Sequence, residues 1–444
     1  MTVNKASYSF GLWTLVALVI GNAIGAGIYT TSGYSLASLG SIEWVLLAWF
    51  VAGLIALCGA LSYGMLVQNI QESGGEYLYL SRSIHPLAGF IAGWISLLAG
   101  FPGAIAFAAS ALETYARSAQ PQLSALPVDS IAVGVTIAAG SIHIFRTKAG
   151  AKTHEWIVAF MLLALTVVIL WSGFKYASMD QLPSIVDLTV EHKLVAFNIF
   201  TFANSLVWIS LSYSGFNAAA YVAGEVKNAK RDVPRGMVIG TLITMLLCVV
   251  LNAIMLYSDD PQNLVGQPEI AALAAYALGG DVARRLIEIV IAVSLLTSIT
   301  AMALAGPRVY AKMAEDGALP AFFRARAGAP PRSSIVLQVG VSLALILVAD
   351  IRELLSFLGF TLSLCLALAV SSVFVIHWRT GERPISKWYP IAPFIFVSCT
   401  VLFAALSAVN DARQFYAFIP TVAAGVIAYL ISKYLTRGKQ LSPA

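Results

Sequence analysis

Three glycines fall within seven residues of one apolar stretch, Gly21-Asn22-Ala23-Ile24-Gly25-Ala26-Gly27. About 190 residues later a second apolar stretch carries Ser212-Tyr213-Ser214-Gly215-Phe216-Asn217-Ala218. The chemistry these segments offer is that of the backbone. Glycine weakens a helix by about 1 kcal/mol relative to alanine, so the first cluster invites local unwinding. In an apolar medium, unwound backbone persists only where it lines a cavity or binds something. Carbonyls and N–H groups released in this way can hold a small polar molecule or an ion without any charged side chain. Close helix packing is the competing role, because Gly21 and Gly25 also fit the GxxxG spacing.

The other residues that carry chemistry point away from catalysis. Cys58, Cys248, Cys365 and Cys399 all lie inside apolar stretches. With no CxxC spacing and no pair in loops, they read as small buried hydrophobes. His85, His143, His154, His192 and His377 lie at the ends of such stretches or between them. Glu113 is expected at an interfacial helix end, and Glu225, next to the basic run Lys227 to Arg231, in an ion-paired one. No cluster of ionisable groups falls at depth, so an enzyme is not expected.

The elements that position the two glycine-rich segments are long apolar helices. Of the 444 residues 59% are hydrophobic and 11% charged, with a mean hydropathy of +0.82. A soluble domain carries roughly 25% charged residues. Apolar runs long enough to cross a roughly 30 Å hydrocarbon core recur at 11–36, 42–67, 86–117, 127–145, 152–173, 195–225, 235–257, 284–313, 333–349, 353–377, 388–408 and 415–435. The fold class is therefore an all-α membrane protein of about twelve spans, one transmembrane domain over 1–444. Its natural partner is membrane lipid. With both termini on one side, that side holds 20 of the 27 Lys and Arg residues, which places both termini in the cytoplasm. The net charge of +5 is scattered over short loops without interleaved aromatics, so nucleic acid is excluded. Interruptions at matching positions of spans 1 and 6 are the sequence mark of a solute transporter's binding site.

At these residues the chain resembles the amino acid–polyamine–organocation (APC) transporters, which share the LeuT fold. The segment Tyr213 to Arg235, YSGFNAAAYVAGEVKNAKRDVPR, is similar to the span-6 signature of the L-type amino acid transporter branch. Glu72-Ser73-Gly74-Gly75-Glu76-Tyr77-Leu78-Tyr79 is similar to the family's loop after span 2, and Pro307-Arg308 through Asp316-Gly317-Ala318-Leu319-Pro320 to its loop after span 8. The resemblance implies a five-plus-five inverted repeat, spans 1–5 over 11–173 and spans 6–10 over 195–377, with two appended helices over 388–435. It implies an amino acid substrate moved by alternating access. The substrate carboxylate is expected at the start of a half-helix near Ile24, Gly25, Ala26 and Gly27, where exposed N–H groups and the helix dipole attract an anion. The amine is expected on carbonyls around Ser210, Leu211, Tyr213 and Ser214. Gly215, Phe216 and Asn217 complete the expected substrate site, although an isolated Phe in a span is ordinarily core or lipid-facing.

Departures from the family pattern bear on coupling. Aligning Thr147-Lys148-Ala149-Gly150 puts Met161 where some relatives carry a lysine. Ser294-Leu295-Leu296-Thr297-Ser298 resembles the sodium-binding segment of LeuT-type symporters, with Gly21 and Ile24 supplying carbonyls. Sodium symport is therefore expected, with a sodium-independent exchanger as the alternative and a membrane-embedded enzyme or receptor as the remote one. Thr297 and Ser298 hydroxyls bonded back to their own helix would be the ordinary structural outcome. No cofactor is expected. With no pocket carboxylate and no pocket Arg or Lys evident, the expected substrate is a neutral L-amino acid. The loop Ser118 to Gln122 has no cysteine, so no disulfide-linked heavy subunit is expected. The protein is expected in the cytoplasmic, or plasma, membrane.

Overall fold

The structure is a computed structural model and describes residues 10–72, 74–145, 151–178, 197–324, 331–384 and 386–440. Those residues form helices α1 (Leu12–Ala23), α2 (Ala26–Leu39), α3 (Ile42–Asn69), α4 (Gly75–Ser83), α5 (Pro86–Ile95), α6 (Phe101–Ala119), α7 (Ser130–Phe145) and α8 (Ala151–Ser178). They continue with α9 (Ile199–Tyr213), α10 (Ala229–Leu256), the short α11 (Pro261–Leu264), α12 (Ile270–Glu315), α13 (Arg332–Val348), α14 (Ile351–Thr380), α15 (Ile391–Asn410) and α16 (Arg413–Gln440). No strand occurs among the described residues.

Among the described residues, eight helical stretches are long and apolar enough to cross a membrane, and three shorter apolar helices join them. Span 6, which is α9 plus a 3₁₀ segment (Ser214–Glu225), makes the twelfth. Apolar side chains coat the outside of the bundle, with Leu163, Leu246 and Val348 all well exposed. A continuous apolar exterior of this kind is suited to lipid rather than water. The Thr147–Gly150 alignment anchor lies outside the described residues.

Four local features depart from a simple count of spans. Span 3 is two helices, α5 and α6, joined by a π-helical turn (Ser96–Gly100) just before Pro102. A proline cannot donate to the preceding turn, and such turns cluster at functional sites. The stretch between spans 7 and 8 is helical, because α12 begins at Ile270 and is kinked at Gly279 and Gly280, the latter at φ 65°. The connection after span 2 contains α4. Finally, Glu113, near the end of α6, is buried rather than open to its surroundings. It is 5% exposed and pairs with Arg117, whose Nε donates to Oε1 at 2.7 Å. It also accepts the backbone N–H groups of Asp129 at 2.8 Å and Ala132 at 2.9 Å, so it caps the start of α7.

Candidate functional site

Span 1 does break where its glycines predict. The helix ends at Ala23, Ile24 (φ −82°, ψ 83°) and Gly25 (φ −131°, ψ −157°) are non-helical, and a new helix starts at Ala26. The Gly25 N–H turns back to the Ala23 carbonyl at 3.0 Å, which leaves the Gly21 carbonyl without its i+4 donor. No side chain caps α2. The first N–H groups of α2, beginning at Ala26, Gly27 and Ile28, therefore keep the positive end of a helix dipole directed at the break.

Span 6 tightens rather than unwinds. From Ser214 the helix continues as 3₁₀ turns, and the Leu211 carbonyl accepts both the Ser214 N–H and its hydroxyl, the latter at 2.7 Å. The expected freed carbonyl at Leu211 is thus occupied by its own chain. The two segments meet at Gly215. A Cβ there would lie 2.5 Å from the Ala23 nitrogen and 2.6 Å from the Asn22 carbonyl carbon, so packing against the span-1 break is the physical reason for glycine. Gly27 is likewise closed over by the Ser212 side chain.

A cavity of about 400 Å³ ends on this junction. Its lining includes Asn22, Ser214, Gly215, Asn217 and the π-turn residues Ser96 and Gly100, and it runs along α1 as far as Phe10. On the other side of the break the chain is closed. Residues 26–33 of α2 are all buried. Tyr115 donates its hydroxyl to the Tyr29 carbonyl at 2.7 Å, and Gly266 donates its N–H to the Gly33 carbonyl at 2.8 Å. Ser32 is held by Asn252 and by the Trp49 indole N–H. The cavity therefore runs from the junction toward the N-terminal end of α1, with packed chain on the α2 side.

Not every expected site residue faces this cavity. Ser210, Tyr213 and Phe216 line a separate apolar pocket of about 50 Å³. Phe216 is buried there, edge-on to Tyr63 and Phe396 at centroid distances of 5.4 and 5.8 Å. Leu211, Gly25, Ala26 and Gly27 are buried at the junction rather than lining the cavity wall. The span-8 hydroxyls divide. Ser294 donates to the Ile24 carbonyl at 2.9 Å, and Ser298, 1% exposed, lies against Gly25. Thr297 instead donates to the Val293 carbonyl of its own helix at 2.7 Å. For a monovalent cation the Gly21 and Ile24 carbonyls and two serine hydroxyls are suitable neutral oxygens, while no hydrogen bond among the described residues joins Thr297 to them.

Neither a pocket carboxylate nor a pocket arginine was expected, and both are present. Glu76 and Arg308 line the 400 Å³ cavity. Glu76 is 4% exposed. Its Oε1 accepts the Tyr63 hydroxyl at 2.6 Å and the Asn217 amide at 2.7 Å, and its Oε2 accepts the Tyr221 hydroxyl at 2.7 Å. Two glycines make the approach possible. Gly74 and Gly75 have φ of 155° and 57°, and a Cβ on Gly75 would enter the Tyr221 ring. On the same helix Tyr77 donates to Asp316 at 3.0 Å. Burial and that carboxylate raise the Tyr77 pKa, so it stays a neutral donor tying α4 to the end of α12. The doublet Gly74-Gly75 before an acidic residue was the available signal, since positive φ marks a chain forced into close approach.

The sequence has counterparts among known proteins. A profile of the amino acid permease family matches residues 10–430. The serine/threonine exchanger SteT of Bacillus subtilis is 26% identical over 404 residues, covering 88% of each chain. The large neutral amino acids transporter small subunit 2 of Oryctolagus cuniculus is 25% identical over 417 residues, covering 89% of this chain and 76% of that one. The human cystine/glutamate transporter is 24% identical over 412 residues, covering 89% and 79%. These relatives are transporters, not enzymes, and they lie in the L-type region of the APC superfamily that the span-6 signature resembles. This chain, with its broken first span and the cavity that ends on the break, belongs to the amino acid permease family and is an amino acid transporter.

Proposed function

We propose that the protein exchanges small neutral L-amino acids across the plasma membrane by alternating access, without sodium. The observation that carries this is the junction itself: a half-helix start at Ala26 with no side-chain cap, beside a cavity that runs toward the N-terminal end of α1. A zwitterion entering from that side meets the positive end of α2 with its carboxylate. Rocking of one helix group against the other would expose the same junction to the opposite side, as the resemblance to a five-plus-five inverted repeat implies. The arginine and lysine distribution orients the N-terminal end of α1 toward the cytoplasm.

The Thr297 hydroxyl donates within its own helix, the ordinary arrangement of a hydroxyl in a span, and so gives symport no positive support. The serine/threonine exchanger among the relatives supports exchange. Sodium symport is the second reading, and the Ser294 hydroxyl on the Ile24 carbonyl is what favours it. A sodium ion crossing 100 mV supplies about 2.3 kcal/mol, enough for useful accumulation. This reading includes no disulfide-linked subunit, and the placing of Cys58, Cys248, Cys365 and Cys399 within helices supports it.

The test is uptake of labelled serine, threonine or alanine into proteoliposomes, with and without internal amino acid, in sodium chloride and in choline chloride. Uptake that needs internal amino acid and is equal in both salts supports exchange. Uptake into empty vesicles that needs inward sodium, and is lost in Ser294→Ala, replaces exchange by symport. No uptake of any amino acid refutes both.

A further inference from the structure

Three side chains on the wall of the 400 Å³ cavity, Asn22, Ser214 and Asn217, carry oxygens that can accept a hydrogen bond. The Asn22 amide nitrogen donates one of its two hydrogens to the Leu18 carbonyl at 2.8 Å. Its amide oxygen takes no hydrogen bond among the described residues and can accept one. The Ser214 hydroxyl donates to the Leu211 carbonyl, so its oxygen can only accept from a ligand. Asn217 is the most constrained of the three. Its nitrogen lies 2.7 Å from Glu76 Oε1 and 3.4 Å from the Tyr221 hydroxyl. No hydrogen bond among the described residues reaches its Oδ1, although the residue is only 5% exposed and lines the cavity. Ser214 and Asn217 are three residues apart in a 3₁₀ helix, which places them one above the other on the same face.

We infer that Glu76 fixes the amide of Asn217 so that its oxygen faces the substrate, and that this selects amino acids whose side chain donates a hydrogen bond from a hydroxyl. The inference rests on the transport reading above and names the substrate class of that same site. The α-ammonium takes acceptors at the junction, Asn22 and Ser214, and the side-chain hydroxyl takes Asn217 one 3₁₀ turn further along. An apolar side chain of equal size leaves the buried amide oxygen without a donor, which is unfavourable. A side-chain carboxylate has no hydrogen to give the Asn217 oxygen and gains nothing from it. Glu76 is balanced along the same cavity by the Arg308 guanidinium, so the wall as a whole is neutral and gives a cationic side chain no advantage. Glu76 is a positioning residue here. It acts by denying Asn217 the freedom to rotate its amide.

Threonine and valine differ only by hydroxyl for methyl, so the ratio of their affinities reads this bond directly. In proteoliposomes of the full chain, threonine should compete for exchange about three- to tenfold better than valine, the range expected of one neutral hydrogen bond. Lysine and glutamate should both compete more weakly than threonine. Asn217→Leu should bring the threonine-to-valine ratio close to one while valine still competes. Glu76→Gln, which lets the amide turn, should lower the ratio as well. Loss of packing alone would reduce exchange of both substrates without changing their ratio. A wild-type ratio of one overturns the inference alone, as does a ratio that survives Asn217→Leu, or lysine or glutamate competing as well as threonine. Absence of exchange with every amino acid overturns the transport reading and this inference with it.

Discussion

Gly215→Ala probes the contact on which the site depends. The added methyl would lie 2.5 Å from the Ala23 nitrogen, 2.6 Å from the Asn22 carbonyl carbon and 2.9 Å from the Ala23 Cα. An ordinary Cβ contact is 3.4 Å or more, so spans 1 and 6 must separate by about 0.9 Å at the break. All three atoms belong to backbone, and no side chain can rotate to relieve them. Overpacking of a filled interior costs about 1–3 kcal/mol, and a backbone-only clash belongs at the upper end, about 3 kcal/mol. The matched control is Gly134→Ala in α7, where a Cβ meets nothing within 4 Å and alanine improves helix propensity by about 1 kcal/mol. The assay is the melting temperature of detergent-purified protein together with exchange in proteoliposomes. Gly215→Ala should melt several degrees lower with most exchange lost, and Gly134→Ala should melt at or above wild type with exchange intact. A Gly215→Ala protein with wild-type melting and exchange would refute backbone contact between the two interrupted spans.

Two further outcomes follow from the same contacts. Glu113→Gln leaves the Arg117 guanidinium without its carboxylate and removes a charged acceptor from the Asp129 and Ala132 N–H groups. Unfolding measurements should show a loss of about 2 kcal/mol, with no change in which amino acids compete. Tyr115→Phe deletes the bond to the Tyr29 carbonyl on the closed side. Amide hydrogen exchange in α2 should quicken by about three- to tenfold, the equivalent of a net hydrogen bond of about 0.5–1.5 kcal/mol. Unchanged protection would show that this bond does not hold that side shut.

What the chain's own sequence determines here is what depends on neighbours along the chain. Twelve apolar stretches imply a helical membrane bundle because each is long enough to satisfy its backbone internally while crossing lipid. The interruption at Ile24 and Gly25 is legible for the same reason, since clustered glycines lower helix stability where they stand. The ends of spans 2, 4, 9 and 10 were likewise close to those observed, and Asp350 with Glu353 forms a capping box at α14. The tertiary structure decided which neutral atoms face one another. Glu76 and Asn217 are 141 residues apart, and nothing local to either announces their bond. The same local sequence, Ser-Gly-Phe-Asn, is compatible with unwinding or with a 3₁₀ turn, and the close approach of Gly215 to Ala23 accompanies the tighter form. Phe216 and Asn217 are adjacent, yet one packs into an aromatic cluster and the other lines the cavity. In a helix buried on every side, hydrophobic periodicity carries no information about which face meets a ligand, and only the positions of the surrounding helices resolve it.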